Sequence, residues 1–225
     1  VHPIDVIKKF GTITPEQELS LRNLMCDYMF QKGDVIQGVK NLTSFVYFLT
    51  KGSARLFYTE HGREHTSSFS FSDEFIVVPR HILLVYPETV AVEFLEPSTV
   101  IFVPHLQVRN LLESDRATPD TEGLLFLSAA LLQYCRELEE RVDVMQTLDA
   151  EQRYRWVLNR YPRLTDCATT TQIASFLGVT KETLYRIKNG KYQGSKHRKA
   201  TIQNNNDNNQ PNINLTADAI ETTSV

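Results

Sequence analysis

Between residues 45 and 103 the chain passes through seven short segments of alternating pattern: FVYFLT (45–50), ARLFYT (54–59), TSSFSF (66–71), EFIVV (74–78), HILLVY (81–86), TVAVEF (89–94) and STVIFV (98–103). Side chains at a period of two project to opposite faces of a strand, so each segment predicts a strand with one buried face. Turn signals separate several of them: Gly33-Asp34, Lys51-Gly52, His61-Gly62 and Glu96-Pro97. Many short strands at regular spacing bury their inner faces only by closing into a sandwich or barrel. Of the 225 residues 41% are hydrophobic, enough for a sizeable core.

The flanks have helical periods. Thr14-Pro15-Glu16-Gln17 carries a capping residue, a proline at the first helical position and Gln three residues on, and Leu21, Leu24, Met25 and Tyr28 follow at helical spacing. The period of two is expected to begin at Phe30. Pro104 is expected to open a helix with Val108, Leu111 and Leu112 on one face. Past the polar loop ESDRATPD, Leu124, Leu131, Leu138 and Met145 recur every seven residues. Leu127, Tyr134 and Leu148 fill most alternate positions, with Arg141 as the exception. A narrow stripe of two in seven, edged by Glu137, Glu139 and Glu140, reads as the seam of a two-helix dimer. The competing arrangement is a helix packed on its own barrel. A further helix is expected over 149–162, stopped by Pro162. The end, QNNNDNNQPNIN (203–214), has nine Asn or Gln in twelve residues and is expected to be disordered.

The stretch TTTQIASFLGVTKETLYRIKNGKY (169–192) holds two short apolar patterns around one glycine. A first helix starting at Thr169 or Thr170 turns Ile173, Ala174 and Leu177 inward. Gly178 supplies the left-handed corner, Thr180 caps a second helix, and Leu184 and Ile187 seat it. This is helix-turn-helix spacing. It leaves Lys181, Glu182, Tyr185 and Arg186 on the outer face, where Lys and Arg can bond guanine O6 and N7 and Glu can accept from cytosine N4. Thr171, Thr180, Thr183, Lys188 and Lys191 are candidates for phosphate contacts. Charge agrees: from 166 to 200 seven cations face two carboxylates, a balance of +5, which leaves −8 on the rest of a chain of net charge −3.

In VTKETLYRI (179–187), QKGDVI (31–36) and YFLTKGSARLFY (47–58) the chain resembles the Crp/Fnr family of bacterial transcription regulators over roughly residues 10–192. The resemblance implies that Lys181, Glu182 and Arg186 contact bases. It also implies an α+β fold of three parts: an N-terminal β-roll of cyclic-nucleotide-binding type (a jelly-roll), a long dimerisation helix and a C-terminal helix-turn-helix. The expected boundaries are 1–119 for the roll, 120–148 for the dimer helix, 149–200 for the DNA-binding part and 201–225 for the tail. Two departures stand out. Where cyclic-AMP-binding members carry Gly-Glu and Arg-Ser/Thr pairs, this chain shows Val77-Val78 and Glu88-Thr89, and Glu88 would repel a phosphate. The family's β-wing is shortened or missing, since Gly190 leads into a basic tail.

The implied function is a homodimeric transcription regulator that binds a palindromic site on double-stranded DNA and works with RNA polymerase. Its effector is unknown and is not expected to be a cyclic nucleotide. Arg55, Arg80 and His81 are candidate effector contacts. No cofactor is expected. The alternatives are an AraC-like barrel with helix-turn-helix, which would normally show two such motifs, and a metal-dependent cupin-type enzyme. His61 and His65 in EHGREH read better as a hairpin turn than as a metal pair, His81 and His105 as structural, and Asp73-Glu74 as a turn before a strand. Cys26, Cys135 and Cys167 are scattered and odd in number, which argues for free thiols. With no apolar run of membrane length and no visible signal peptide, a cytoplasmic protein is expected, with no membrane partner.

Overall fold

The computed structural model of the chain describes residues 1–9, 12–37, 45–78, 90–104 and 121–193. Two short helices open it, α1 (Pro3–Ile7) and α2 (Pro15–Leu24). Thr14 caps α2 as expected: Gln17 N donates to Thr14 Oγ1 at 3.2 Å, and Thr14 N donates to Gln17 Oε1 at 2.8 Å. The helix ends earlier than the spacing predicted. Met25 is extended, and Tyr28 belongs to a strand, β1 (Cys26–Phe30). Tyr28 fits either period in isolation, and pairing decides: Cys26 to Phe30 lie in antiparallel register with Phe102 to Ser98.

The other strands are β2 (Val35–Gln37), β3 (Phe45–Lys51), β4 (Ser53–Glu60), β5 (Arg63–Phe71), β6 (Glu74–Ile76), β7 (Val90–Phe94) and β8 (Ser98–Pro104). Six of the seven alternating segments are therefore strands, and 81–86 lies outside the described residues. Among those described, the strands form two antiparallel four-stranded sheets, ordered β1-β8-β3-β6 and β2-β7-β4-β5. Pro104 ends β8, and the helix expected through Val108 lies outside the described residues.

Alternation places Leu49, Leu56, Val92, Phe94 and Val100 between the sheets, where Phe30 stacks on Phe94 at 4.0 Å. Each such side chain contributes about 1.5–3 kcal/mol of transfer free energy. Val78 is buried in this apolar interior, and Val77 in the cluster with Ile4, Phe48 and Phe75. The hairpin at His61-Gly62 has positive φ at both residues, 49° and 72°, the geometry that matches strand twist in a two-residue loop. His65 stacks on Tyr58 there, at 5.0 Å. The turn before β6 is also as expected, with Asp73 left-handed and Glu74 accepting from Phe71 N at 2.8 Å.

The helical part begins with α3 (Thr121–Thr147), followed by α4 (Ala150–Arg160), α5 (Leu164–Cys167), α6 (Thr170–Leu177) and α7 (Lys181–Lys188). Asp149 caps α4 through a reciprocal bond pair with Gln152, and Pro162 follows its end. Ala129 and Ala130 of α3 pack with Ile4, Ile7, Leu21, Phe48 and Phe75. A third cluster joins β5 to the last helices: Phe69 packs with Val157, Tyr161, Ile173, Phe176, Leu177 and Leu184. No helix among the described residues is long and apolar enough to cross a membrane.

Candidate nucleic-acid interface

The pair α6 and α7 is built by local chemistry. Thr169 caps α6 with Gln172, each accepting from the other's backbone, at 3.2 and 2.8 Å. Gly178 ends the helix at φ 64°, with its N–H on Ser175 O (3.2 Å) and the Val179 N–H on Ala174 O (3.0 Å). That bonding pattern engages two of the last free carbonyls and turns the chain sharply, while Phe176 O and Leu177 O accept from Arg141 and Arg153. Thr180 then caps α7 by accepting from Thr183 N at 3.1 Å. Ile173, Ala174, Leu177 and Leu184 are buried, and Ile187 is half-buried, which fixes the roll of α7 about its axis.

The opposite face of α7 presents Lys181, Glu182, Tyr185 and Arg186, all exposed, Tyr185 at 65%. Thr171, Thr180, Lys188 and Lys191 are exposed beside them, and Thr183 is half-buried. Lys188 Nζ donates to Thr170 Oγ1 at 3.4 Å. Gly190, at φ 65°, closes α7 as Gly178 closes α6, with Lys191 N on Arg186 O at 2.8 Å. The base-reading candidates thus lie on α7 itself, and the phosphate candidates on α6, on α7 and just beyond its two ends.

No protein-family model and no curated protein matches the chain. Solved structures do. FixK2 from Bradyrhizobium japonicum superposes with a TM-score of 0.54 at 16% identity, covering 74% of this chain and 83% of its own. The c-di-GMP responsive global regulator CLP of Xanthomonas campestris gives 0.55 at 14% identity, covering 79% and 91%. A Crp/Fnr-family regulator from Eubacterium rectale gives 0.56 at 12% identity, covering 79% and 83%. The chain has the Crp/Fnr fold.

Within this Crp/Fnr fold the seam residues divide between two faces of α3. Leu131 is half-buried and Leu138 is exposed at 44%. They share a face with Leu132, Cys135 and Val142, of which Leu132 is 51% and Val142 44% exposed. Tyr134, one turn before Leu138, lies at the buried edge of that face, packed against the cluster of Ile4, Phe48 and Phe75 and lining one cleft with Leu138. Met145 also faces inward, close enough that a Cβ on Gly178 would come within 2.9 Å of its Cε. The exposed apolar side chains of this face are Leu132, Leu138 and Val142, with Leu131 and Tyr134 half-buried along it. The side chains of Leu124 and Leu127 lie outside the described residues.

Arg141, the break in the heptad pattern, bonds Ser67 O and Phe176 O (3.1 Å to the latter), with its guanidinium over the Phe176 ring at 4.5 Å. It joins α3 to β5 and α6. An arginine interrupting an apolar stripe was the signal for this contact, though not for its partners. Two further bonds tie α6 to the sheets: Thr66 N donates to Ser175 Oγ at 2.9 Å, and Gln172 Nε2 donates to Glu93 Oε2 at 3.2 Å. Neither pair has a periodic signature.

Arg55 of this Crp/Fnr-fold chain, expected at an effector, is engaged by its own neighbours. It is 5% exposed, bonds Glu93 and Glu64 through separate nitrogens, reaches Thr66 Oγ1 at 3.4 Å and lies over Phe57. These bonds join β4 to β5 and to β7. Arg80, His81, Glu88 and Thr89 lie outside the described residues.

Proposed function

We propose that the chain is a homodimeric, sequence-specific DNA-binding transcription regulator. The observation that carries this reading is the exposed face of α7, a seated helix after a glycine corner, with Lys181, Glu182, Tyr185 and Arg186 free to meet base edges. The two helices act as a helix-turn-helix in the major groove, with α6 and the flanking Thr171, Thr180, Thr183, Lys188 and Lys191 holding phosphates. Two copies joined along α3 read a palindromic site with half-sites about 34 Å apart. On this reading residues 1–119 form the sensor roll, 120–148 the dimer helix and 149–200 the DNA-binding part, in a cytoplasmic protein that acts on RNA polymerase. Chemistry is not its task. None of the observations favours an AraC-like protein or a cupin-type enzyme.

Arg186→Ala and Lys181→Ala are each expected to lose about 1–3 kcal/mol of discrimination at particular base pairs, measured on DNA selected from a random pool. If both variants keep the wild-type sequence preference, α7 does not read bases.

Cyclic AMP and cyclic GMP are expected not to bind at micromolar concentrations in calorimetry. Val77 and Val78 are buried apolar residues at the place of the ribose acid, and Arg55 is already paired with carboxylates. A buried phosphate without a cation costs several kcal/mol. Micromolar binding of either nucleotide would sink this expectation and point to a phosphate site within 79–89.

A further inference from the structure

A shallow cleft open to solvent lies where β5, α3, α4 and α6 meet. Tyr134, Trp156, Tyr161 and Phe176 supply its aromatic walls, and Glu137, Glu140 and Arg141 its charges. Ser67 and Tyr134 also line a second hollow that runs on to Leu56, Val78 and Val90 between the sheets, and no residue of α7 lines the cleft.

Among the described residues, three carboxylates beside it share one guanidinium within 4 Å. Arg160 of α4 is the nearest cation to three carboxylates: it bonds Glu74 at 3.2 Å and stands 3.9 Å from both Glu137 and Glu140. Glu140 also accepts from Trp156 Nε1 at 2.9 Å. Glu137 receives one hydrogen bond, from Gln133 Nε2 at 2.9 Å, and its side chain is 19% exposed. Arg136 contributes only a more distant charge, and the guanidinium of Arg141 is committed to two carbonyls and the Phe176 ring. Among the described residues, the guanidiniums of Arg141 and Arg160 at the cleft are already engaged, so an anionic ligand would meet Glu137 and Glu140 without a free one to offset them. A cation would add to the one guanidinium that Glu137 shares with Glu74 and Glu140, and aromatic faces attract cations through their quadrupole.

We propose that this cleft binds a small organic cation, an amine or quaternary ammonium, with its charge at Glu137 and its apolar part against Trp156 and Tyr134. The site requires no DNA-binding role for the chain. Burial, and then the charge of Glu74, raise Glu137 to about 7. Cation binding requires the ionised carboxylate, so affinity is level above pH 7 and falls as pH drops below it. The other titratable and charged groups facing Glu137 are Glu74 from β6, Arg160 and Tyr161 from the α4 end, and Arg136, Glu140 and Arg141 from α3.

Trp156 is the single tryptophan of the chain, so its fluorescence reports on the cleft alone. Titration with choline, tetramethylammonium and putrescine chlorides, against sodium chloride at equal ionic strength, is expected to give a saturable response to at least one organic cation. Glu137→Gln should weaken that binding about tenfold or more. In the wild-type chain, affinity should fall about tenfold per pH unit below 7, a readout that does not depend on the variant folding. No response beyond that to sodium chloride up to tens of millimolar overturns the proposal. So does equal affinity at pH 6 and 8, or binding by a folded Glu137→Gln variant that matches wild type. Because the assay contains no DNA, its failure leaves the reading of α7 standing, and loss of DNA binding leaves this site standing.

Discussion

The double variant Leu138→Asp with Val142→Asp is expected to sediment as a monomer and to lose about 10²–10⁴-fold in affinity for a palindromic DNA site. Both side chains are 44% exposed in the single chain, on the apolar face of α3 that also carries Leu131, Leu132 and Cys135. A carboxylate at either place remains hydrated in a monomer, so the melting temperature of the isolated fold should move little. In a two-helix seam the same four carboxylates are buried against one another, at a cost of several kcal/mol each unless they are paired. The loss of DNA affinity follows from geometry, since a dimer holds its second recognition helix at high effective concentration over the second half-site. A variant that keeps the wild-type oligomeric state would show that this face is not the dimer contact. A monomer with undiminished affinity would show that binding does not need two half-sites.

Gly52→Ala is expected to be the most damaging conservative change in the roll. Gly52 has φ 107°, and an added Cβ would lie 2.7 Å from Ser98 Cβ and 2.8 Å from its Cα. The backbone of Ser98 begins β8 and is paired with Phe30, so it cannot withdraw without breaking that register. Strain at positive φ and overpacking together cost about 2–5 kcal/mol, against a typical total stability of about 5–15 kcal/mol. For a chain of this size that corresponds to a fall in Tm of about 5–20 °C. Gly62→Ala is the control. Its φ is 72°, but nothing lies within 4 Å of the added Cβ, so only the backbone term of about 1–2 kcal/mol applies. Thermal denaturation of the two variants decides the matter, and equal losses would mean that Ser98 yields and the close approach carries no cost.

Much of the candidate interface was legible in local chemistry. Thr169, Gln172, Gly178, Thr180 and Leu184 act within a few residues of themselves, through caps, a left-handed corner and one apolar face, so their roles can be read at short range. The same holds for Thr14 and Gln17, for the His61-Gly62 hairpin and for six alternating segments. The heptad stripe was legible only in part, because α3 has two apolar faces and a period near 3.5 fits both. Tyr134 lies at the edge between them, packed on α1 and β3, and Cys135 and Val142 complete the exposed one.

What the sequence determined by itself is therefore six strands, helices α2, α3, α4, α6 and α7, and the outward face of α7, whereas α1, α5 and β1 were not foreseen. The elements it determined follow from side-chain periodicity and capping, whose interactions span only a few positions of the chain. Tertiary structure alone decided which residues separated in sequence meet. It brought Glu93 to Arg55 and Gln172, Ser67 to Arg141, and Glu74 to Arg160 near Glu137. It also ended α2 at Leu24, because β8 takes Cys26–Phe30 as a strand. Such contacts depend on the order and register of strands and the docking of helices, which no local pattern of one or two side chains encodes.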